Sequence, residues 1–311
     1  MNIFKNINLR HPIIQGGMAV RVSTAPLAGA VACAGGVGVI AATGMSVEEL
    51  RREIRDARKI AMNGVIGVNV MYAVRDFTDL VKTALQEKVD LVISGAGFSR
   101  DIFSWGKEAG IPIFTIASTS RLARIAEKYG AAAIVAEGSE AGGHLGTNIP
   151  TAKILPEIKG AVKIPVIAAG GITDSNDIEE MMRLGADGVQ MATRFVLSKE
   201  CAVADSFKTH YLKAKKDDVV IINSPVGLPG RAIRNTFSEA LARGESPEIT
   251  CDDCLKNCSK EYCILEALEN SRLGKIDQGV VFSGQNVFKI KDILTVKNIF
   301  QNLTQAFSGR E

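Results

Sequence analysis

The chain has 311 residues, 46% of them hydrophobic, 23% charged and only 5% aromatic, enough apolar matter to bury a large core and too much to stay disordered. Its net charge of +3, with Lys and Arg spread along the chain, provides neither the basic stripe nor the stacking aromatics of a nucleic-acid binder. The opening "MNIFKNINLRHPII" lacks the apolar core and small-residue cleavage site of a secretory leader, so a cytoplasmic protein is expected.

From the N-terminus onward, short β-type runs alternate with helical stretches. "PIIQGGM" predicts the first strand, entered through His11 and Pro12. From Val22 to Val47 no residue is charged, a length that reaches the membrane-spanning threshold. Gly35, Gly36 and Gly38 split it, however, and it predicts two buried elements instead: an Ala-rich helix, "STAPLAGAVACA", and a strand, "GVGVIAA". The amphipathic helix "SVEELRREIRDARKIA" follows, then strands at "GVIGVNVM", "LVISGAG", "IPIFTIA", "AAAIVAEG", "IPVIAAGG" and "GVQMATRF". Between the last two lies "TDSNDIEEMMRLGA", a helix opening on Thr173 and Asp174 as caps. Most runs are continuously apolar, as strands covered on both faces are, and about eight are present, the number that closes a (β/α)8, or TIM, barrel. An open doubly wound sheet fits the same alternation, but the strand count and the glycines at strand ends favour the barrel. The expected organisation is an α/β barrel over 1–200, a small cap segment over 201–290, and a C-terminal helix over 291–311 packing back on the barrel.

Active sites in such barrels gather at the C-terminal ends of the strands. Gln15, Gly16, Gly17 and Met18, then Asn69, Ser94, Gly95, Glu137, Gly170, Gly171, Ala192 and Thr193 all fall there. Just beyond Glu137, "AEGSEAGGHLGTNIP" places His144 among glycines and small residues, where a ring has room for a ligand. A turn carrying an incidental surface imidazole is the alternative. His11 and His210, the latter in the helical "DSFKTHYLKAKK", read as structural or solvated.

The loops after the seventh and eighth strands, "AAGGIT" and "QMATRF", suit a phosphate cradled by backbone N–H groups and the Thr193 hydroxyl. No P-loop lysine motif and no strand-borne G-x-G-x-x-G is present, since "GAGFSR" lacks the third glycine. A phosphorylated mononucleotide therefore suits the chain better than a dinucleotide, with a substrate phosphate as the alternative. Further on, Cys251, Cys254, Cys258 and Cys263 form a C-x2-C-x3-C-x4-C array, expected as a loop entering a helix at "EYCILEALENSRL" with Cys263 in its first turn. Four thiols so close can converge on zinc or an iron–sulfur cluster; free or redox-active thiols are the other reading.

"HPIIQGGMA", "GVNVM", "AEGSEAGGHLG", "VIAAGGI" and "GVQMATRF", in this order, resemble the FMN-dependent family of nitronate monooxygenases (2-nitropropane dioxygenases) and the flavin-containing enoyl-acyl-carrier-protein reductase II. "PVGLPGRAI" and "FSGQNVFKI" are similar to its C-terminal portion. The resemblance implies an FMN-holding TIM barrel with Gly17 and Met18 under the isoalloxazine ring and Asn69 and Glu137 near the ring or ribityl chain. It puts Gly170, Gly171, Ala192 and Thr193 at the phosphate, adds Gly142, Gly143, Gln190 and Met191 to the cofactor-binding set, and makes His144 the catalytic group. Ala192 stands where the family commonly has glycine. The implied activity is oxidation of alkyl nitronates by O2, with NAD(P)H-dependent reduction of enoyl thioesters as the alternative. A barrel that merely binds a phosphorylated ligand is the non-enzymatic reading. A small-molecule substrate is expected, with no nucleic-acid or membrane partner, and a homodimer is a further expectation.

Overall fold

Alternating apolar faces become a closed cylinder in the computed structural model, which describes residue 7, residues 9–245 and residues 251–307. Its strands are β1 (Ile13–Gln15), β2 (Val37–Ala41), β3 (Val65–Met71), β4 (Leu91–Gly95), β5 (Ile113–Ala117), β6 (Ala133–Glu137), a two-residue β7 (Gly143–His144), β8 (Val166–Ala169) and β9 (Gly188–Met191). All but β7 pair in parallel, in the order β1-β2-β3-β4-β5-β6-β8-β9, and the barrel closes through Ile14 opposite Gln190. The eight β-type runs of the sequence are these eight barrel strands.

Helices α1 (Ala25–Cys33), α2 (Val47–Ala61), α3 (Phe77–Gln86), α4 (Asp101–Ala109), α5 (Ser120–Tyr129), α6 (Thr151–Ala161), α7 (Ser175–Arg183) and the short α8 (Thr193–Val196) fill the connections. Helix α2 shows why: Leu50, Ile54, Ala57 and Ala61 fall on one buried face, and the Ser46 hydroxyl accepts the Glu49 N–H at 3.1 Å as an N-cap. Glu48 and Glu49 in its first turn and Arg58 and Lys59 in its last complement the helix dipole. At α7 the Asp174 carboxylate accepts the Asp177 N–H at 3.0 Å, while the Thr173 hydroxyl donates to Asp177 at 2.7 Å.

Inside the barrel, Ile14, Val37, Val39, Leu91, Ile93, Phe114, Val135 and Ile167 form a separate apolar cluster. The period of two along a strand then puts Asn69 on the same face as Val65, and Glu137 on the same face as Ala133 and Val135. The strand interior is sealed with hydrocarbon and its C-terminal mouth is polar.

Beyond the barrel come α9 (Asp205–Lys213), an antiparallel hairpin of β10 (Val219–Asn223) and β11 (Pro229–Ile233), α10 (Thr236–Ala242), α11 (Ile264–Arg272) and α12 (Val296–Leu303). Strand β7 leaves the barrel to pair with β11, His144 opposite Gly230 and Gly143 opposite Arg231. The sequence marked 143–144 as a glycine-rich loop; a strand 85 residues downstream supplies the pairing that makes it extended. Helix α12 packs on α1 and α7, and the buried residues of α9, α11 and α12 belong to the same cluster as those of the barrel helices. Among the described residues no helix is long and apolar enough to cross a membrane.

Candidate active site

Two adjoining cavities of about 190 and 100 Å³ open at the C-terminal mouth of the barrel and share Gly17, Asn69, Ile116, Glu137, Gly142, Ala192 and Thr193. The larger is walled by Met18, Gly143 and His144 and by the apolar side chains of Val20, Val196, Phe207, Leu268 and Phe282. The smaller is bounded by Gly170, Gly171, Gln190 and Met191. Every cofactor and catalytic position expected from the sequence therefore lines one cavity or both. Gln15 and Ser94, also at strand ends, line neither. The Gln15 amide instead ties β1 to β2, its Nε2 donating to Val39 O at 3.3 Å and its Oε1 accepting from Val39 N–H at 3.2 Å.

The polar cavity is built by close approach. A Cβ on Gly17 would stand 2.4 Å from Asn69 Cβ, so only glycine lets this loop reach the mouth of β3. Gly170 and Gly171 take φ of +107° and +79°, and side chains there would meet Thr151 Oγ1 at 2.9 Å and Glu140 Cβ at 3.0 Å. Ala192 has a negative φ of −123°, so its backbone is not in the left-handed region that requires glycine. Gln190 Oε1 is buried and, among the described residues, without a hydrogen-bond donor. An orphaned acceptor facing a glycine-lined cavity fits a ligand carrying N–H or hydroxyl groups.

The residues at 282–286 close this end, and no local sequence signal gave them a role. Gly284 N–H donates to Thr193 Oγ1 at 3.0 Å, and Asn286 Nδ2 donates to the Gly171 carbonyl at 2.7 Å. Arg231 on β11 also holds the 139–141 loop, its Nη2 donating to Ser139 O at 2.6 Å and its Nε to Ala141 O at 3.1 Å.

His144 is fixed on three sides. Strand β7 sets its backbone, Phe282 meets its ring edge-on with centroids 5.1 Å apart, and its Nε2 lies 2.8 Å from Ser224 Oγ. Ser224 is 5% exposed and sits in a turn closed by Gly227 N–H donating to Ser224 O at 2.9 Å. Burial lowers the His144 pKa to about 4, so the imidazole is neutral at neutral pH rather than half-titrated as an ordinary histidine would be near 6.5. With Nε2 committed to Ser224, Nδ1 is the ring nitrogen left for a substrate. Burial has the opposite effect on Glu137, raising its carboxyl to about 7. His11 packs near Phe300, and neither His11 nor His210 lines either of these two cavities.

The four cysteines of the array border one small cavity. Cys251, Cys254, Cys258 and Cys263 are all free thiols, and among the described residues no three His, Cys, Asp or Glu side chains stand as a ready-made ligand set. Cys263 is the residue preceding α11 rather than a member of its first turn.

A closed parallel barrel with a glycine-lined polar cavity at its seventh and eighth strands, and an apolar cavity carrying a half-buried imidazole beside it, is a setting for a phosphorylated cofactor, and the chain's relatives make it a flavin-dependent oxidoreductase. The chain belongs to the nitronate monooxygenase family, whose profile matches residues 2–306. It is 34% identical over 241 residues to the (3aS,4S,5R,7aS)-5-hydroxy-7a-methyl-1-oxo-octahydro-1H-indene-4-carboxyl-CoA dehydrogenase of Mycobacterium tuberculosis, a match covering 76% of this chain and 67% of that relative. A probable nitronate monooxygenase of Staphylococcus aureus is 32% identical over 285 residues, covering 77% of this chain and 79% of the other. The solved structure of FabK from Thermotoga maritima superposes with a TM-score of 0.85 at 32% identity, covering 97% of this chain and 94% of that one.

Proposed function

We propose that the protein binds FMN and oxidises alkyl nitronates with O2. The observation that carries this reading is the neutral, half-buried imidazole of His144 on the wall of an apolar cavity that adjoins the polar, glycine-lined one. Residues at the polar end suit a single phosphate: Gly170 and Gly171 offer bare backbone, and Thr193 keeps its hydroxyl proton because Gly284 N–H supplies the bond its oxygen accepts. Gln190 Oε1 would take a hydrogen bond from the flavin, with Gly17 and Met18 beneath the ring and Asn69 and Glu137 beside it. When bound, FMN supplies a two-electron acceptor that O2 reoxidises.

His144 then has two tasks. As a neutral base, Nδ1 takes the α-proton of a nitroalkane while Nε2–H donates to Ser224 Oγ. Once protonated, the ring faces the negative charge of the nitronate. The apolar wall excludes bulk water, which strengthens that attraction.

Reduction of an enoyl thioester by NAD(P)H is the second reading. The likeness to FabK and the apolar wall of the larger cavity favour it. In that reaction His144 would donate a hydrogen bond to the thioester carbonyl. Protein purified without added cofactor is expected to be yellow and to release FMN, not FAD, on heating. It is expected to consume O2 with propionate-3-nitronate. No response to nitronates, together with NADH or NADPH oxidation that depends on a crotonyl thioester, would move the assignment to the reductase. A colourless protein that does not bind FMN would leave only a phosphoryl-ligand-binding barrel.

A further inference from the structure

The stretch from Cys251 to Cys263 has no part in the chemistry proposed above. It forms no regular helix or strand, and it straps the outer rim of the site. Leu255 bridges to Val74, Lys256 Nζ donates to Tyr72 O at 2.7 Å, and Ser259 N–H donates to Pro225 O at 3.1 Å. Beneath the strap, Tyr262 is 1% exposed and its hydroxyl donates to Asn223 O at 3.0 Å, next to the Ser224 that holds His144.

All four strap cysteines border one cavity of about 20 Å³. A single water needs about 10 to 15 Å³, so this space as it stands has the size of one small ion. Lys260 N–H already donates to Cys258 Sγ at 3.4 Å, the kind of bond that stabilises a ligating thiolate. An apolar filling would have made this cavity inert; four free thiols around it make it a soft-ligand site.

We propose that Cys251, Cys254, Cys258 and Cys263 bind one thiophilic cation of the Zn²⁺ class in a tetrahedral site. Four S–H protons leave to solvent as four metal–sulfur bonds form, and no electron is transferred. The thiols do not form a ligand set as they stand, so binding draws their side chains inward, a movement that an irregular strap permits. The ion would fix the strap, and with it Tyr262, over the turn that carries Ser224.

The test uses the full chain carrying its flavin, stripped of metal by a strong chelator and then titrated with Zn²⁺ alone. About one equivalent per chain should be retained through gel filtration. With Zn²⁺ bound, the exposed Cys33 should react rapidly with a disulfide reagent while the strap thiols are protected; chelation should expose them. A Cys254→Ser, Cys258→Ser double variant that keeps its flavin spectrum should lose the metal, and Cys33→Ser should retain it. The proposal is overturned if Zn²⁺ neither stays bound nor protects the thiols. Stoichiometric iron and sulfide in anaerobically purified protein would overturn it equally, because a cluster would then occupy the site.

Discussion

His144 and its partner Ser224 are 80 residues apart in the chain and 2.8 Å apart in space. His144→Ala is expected to keep FMN and fold while turnover falls about 10² to 10⁴-fold, as removal of a general base does; wild-type kcat/KM with a nitronate-forming nitroalkane would refute the role. Ser224→Ala should act more mildly, lowering kcat and altering its pH profile with little change in KM, because the ring loses the group that fixes its tautomer. Glu137 gives a stability prediction with a definite sign. Its folded pKa of about 7 lies above the ordinary 4.5, so the folded state holds the proton longer and stability falls as pH rises from about 4.5, levelling above about 7. Integrated over that window, the penalty is on the order of 3 kcal/mol. Flavin-free Glu137→Gln should therefore gain melting temperature over the wild type progressively across this range, and a pH-independent difference would show the carboxyl to be unperturbed. His144 was legible in sequence because glycine leaves a visible signature. Ser224, preceding Pro225 in an unremarkable turn, was not: what matters about it is its distant partner.

At the level of elements, the barrel strands were readable because burial on both faces leaves uninterrupted apolar runs, and α2 and α7 because their caps and buried faces are local. Strand β7 was not readable, since two residues carry no periodicity and their pairing partner lies in β11. The strap at 251–263 escaped for the same reason: its contacts are with the 72–75 loop and the β10–β11 turn. The polar cavity, by contrast, depends on a local feature that can be tested locally. Gly171→Val would force a branched side chain to φ of +79° and to within 3.0 Å of Glu140 Cβ. A left-handed backbone costs such a residue at least about 1 to 2 kcal/mol, so FMN affinity should fall about tenfold or more while the far-ultraviolet circular dichroism is retained. Unchanged affinity would mean that this loop does not contact the cofactor.

Across the whole molecule, barrel helices and C-terminal helices share one apolar cluster: Leu27 and Val31 of α1, Phe207 and Tyr211 of α9, Leu268 of α11 and Ile299 of α12 all belong to it. The chain divides by sequence into barrel, cap segment and terminal helix, but a shared core couples their unfolding. Calorimetry of the flavin-free protein is expected to show a single endotherm; two separated transitions would make the cap an independent unit. Of the terminal helix expected over 291–311, α12 spans Val296–Leu303, and 308–311 lie outside the described residues.

The pairing of β7 with β11 also orders events during synthesis. When Met191 has been added to the growing chain, the residues of all eight barrel strands exist, yet the strand that seats His144 and the 282–286 segment that closes the polar cavity are still untranslated. Whatever barrel structure forms before those segments arrive is unarmed. A nascent or truncated barrel would lack both the closed cofactor end and the held imidazole, and would therefore not turn over flavin and O2. The site is complete only once the 282–286 segment is in place.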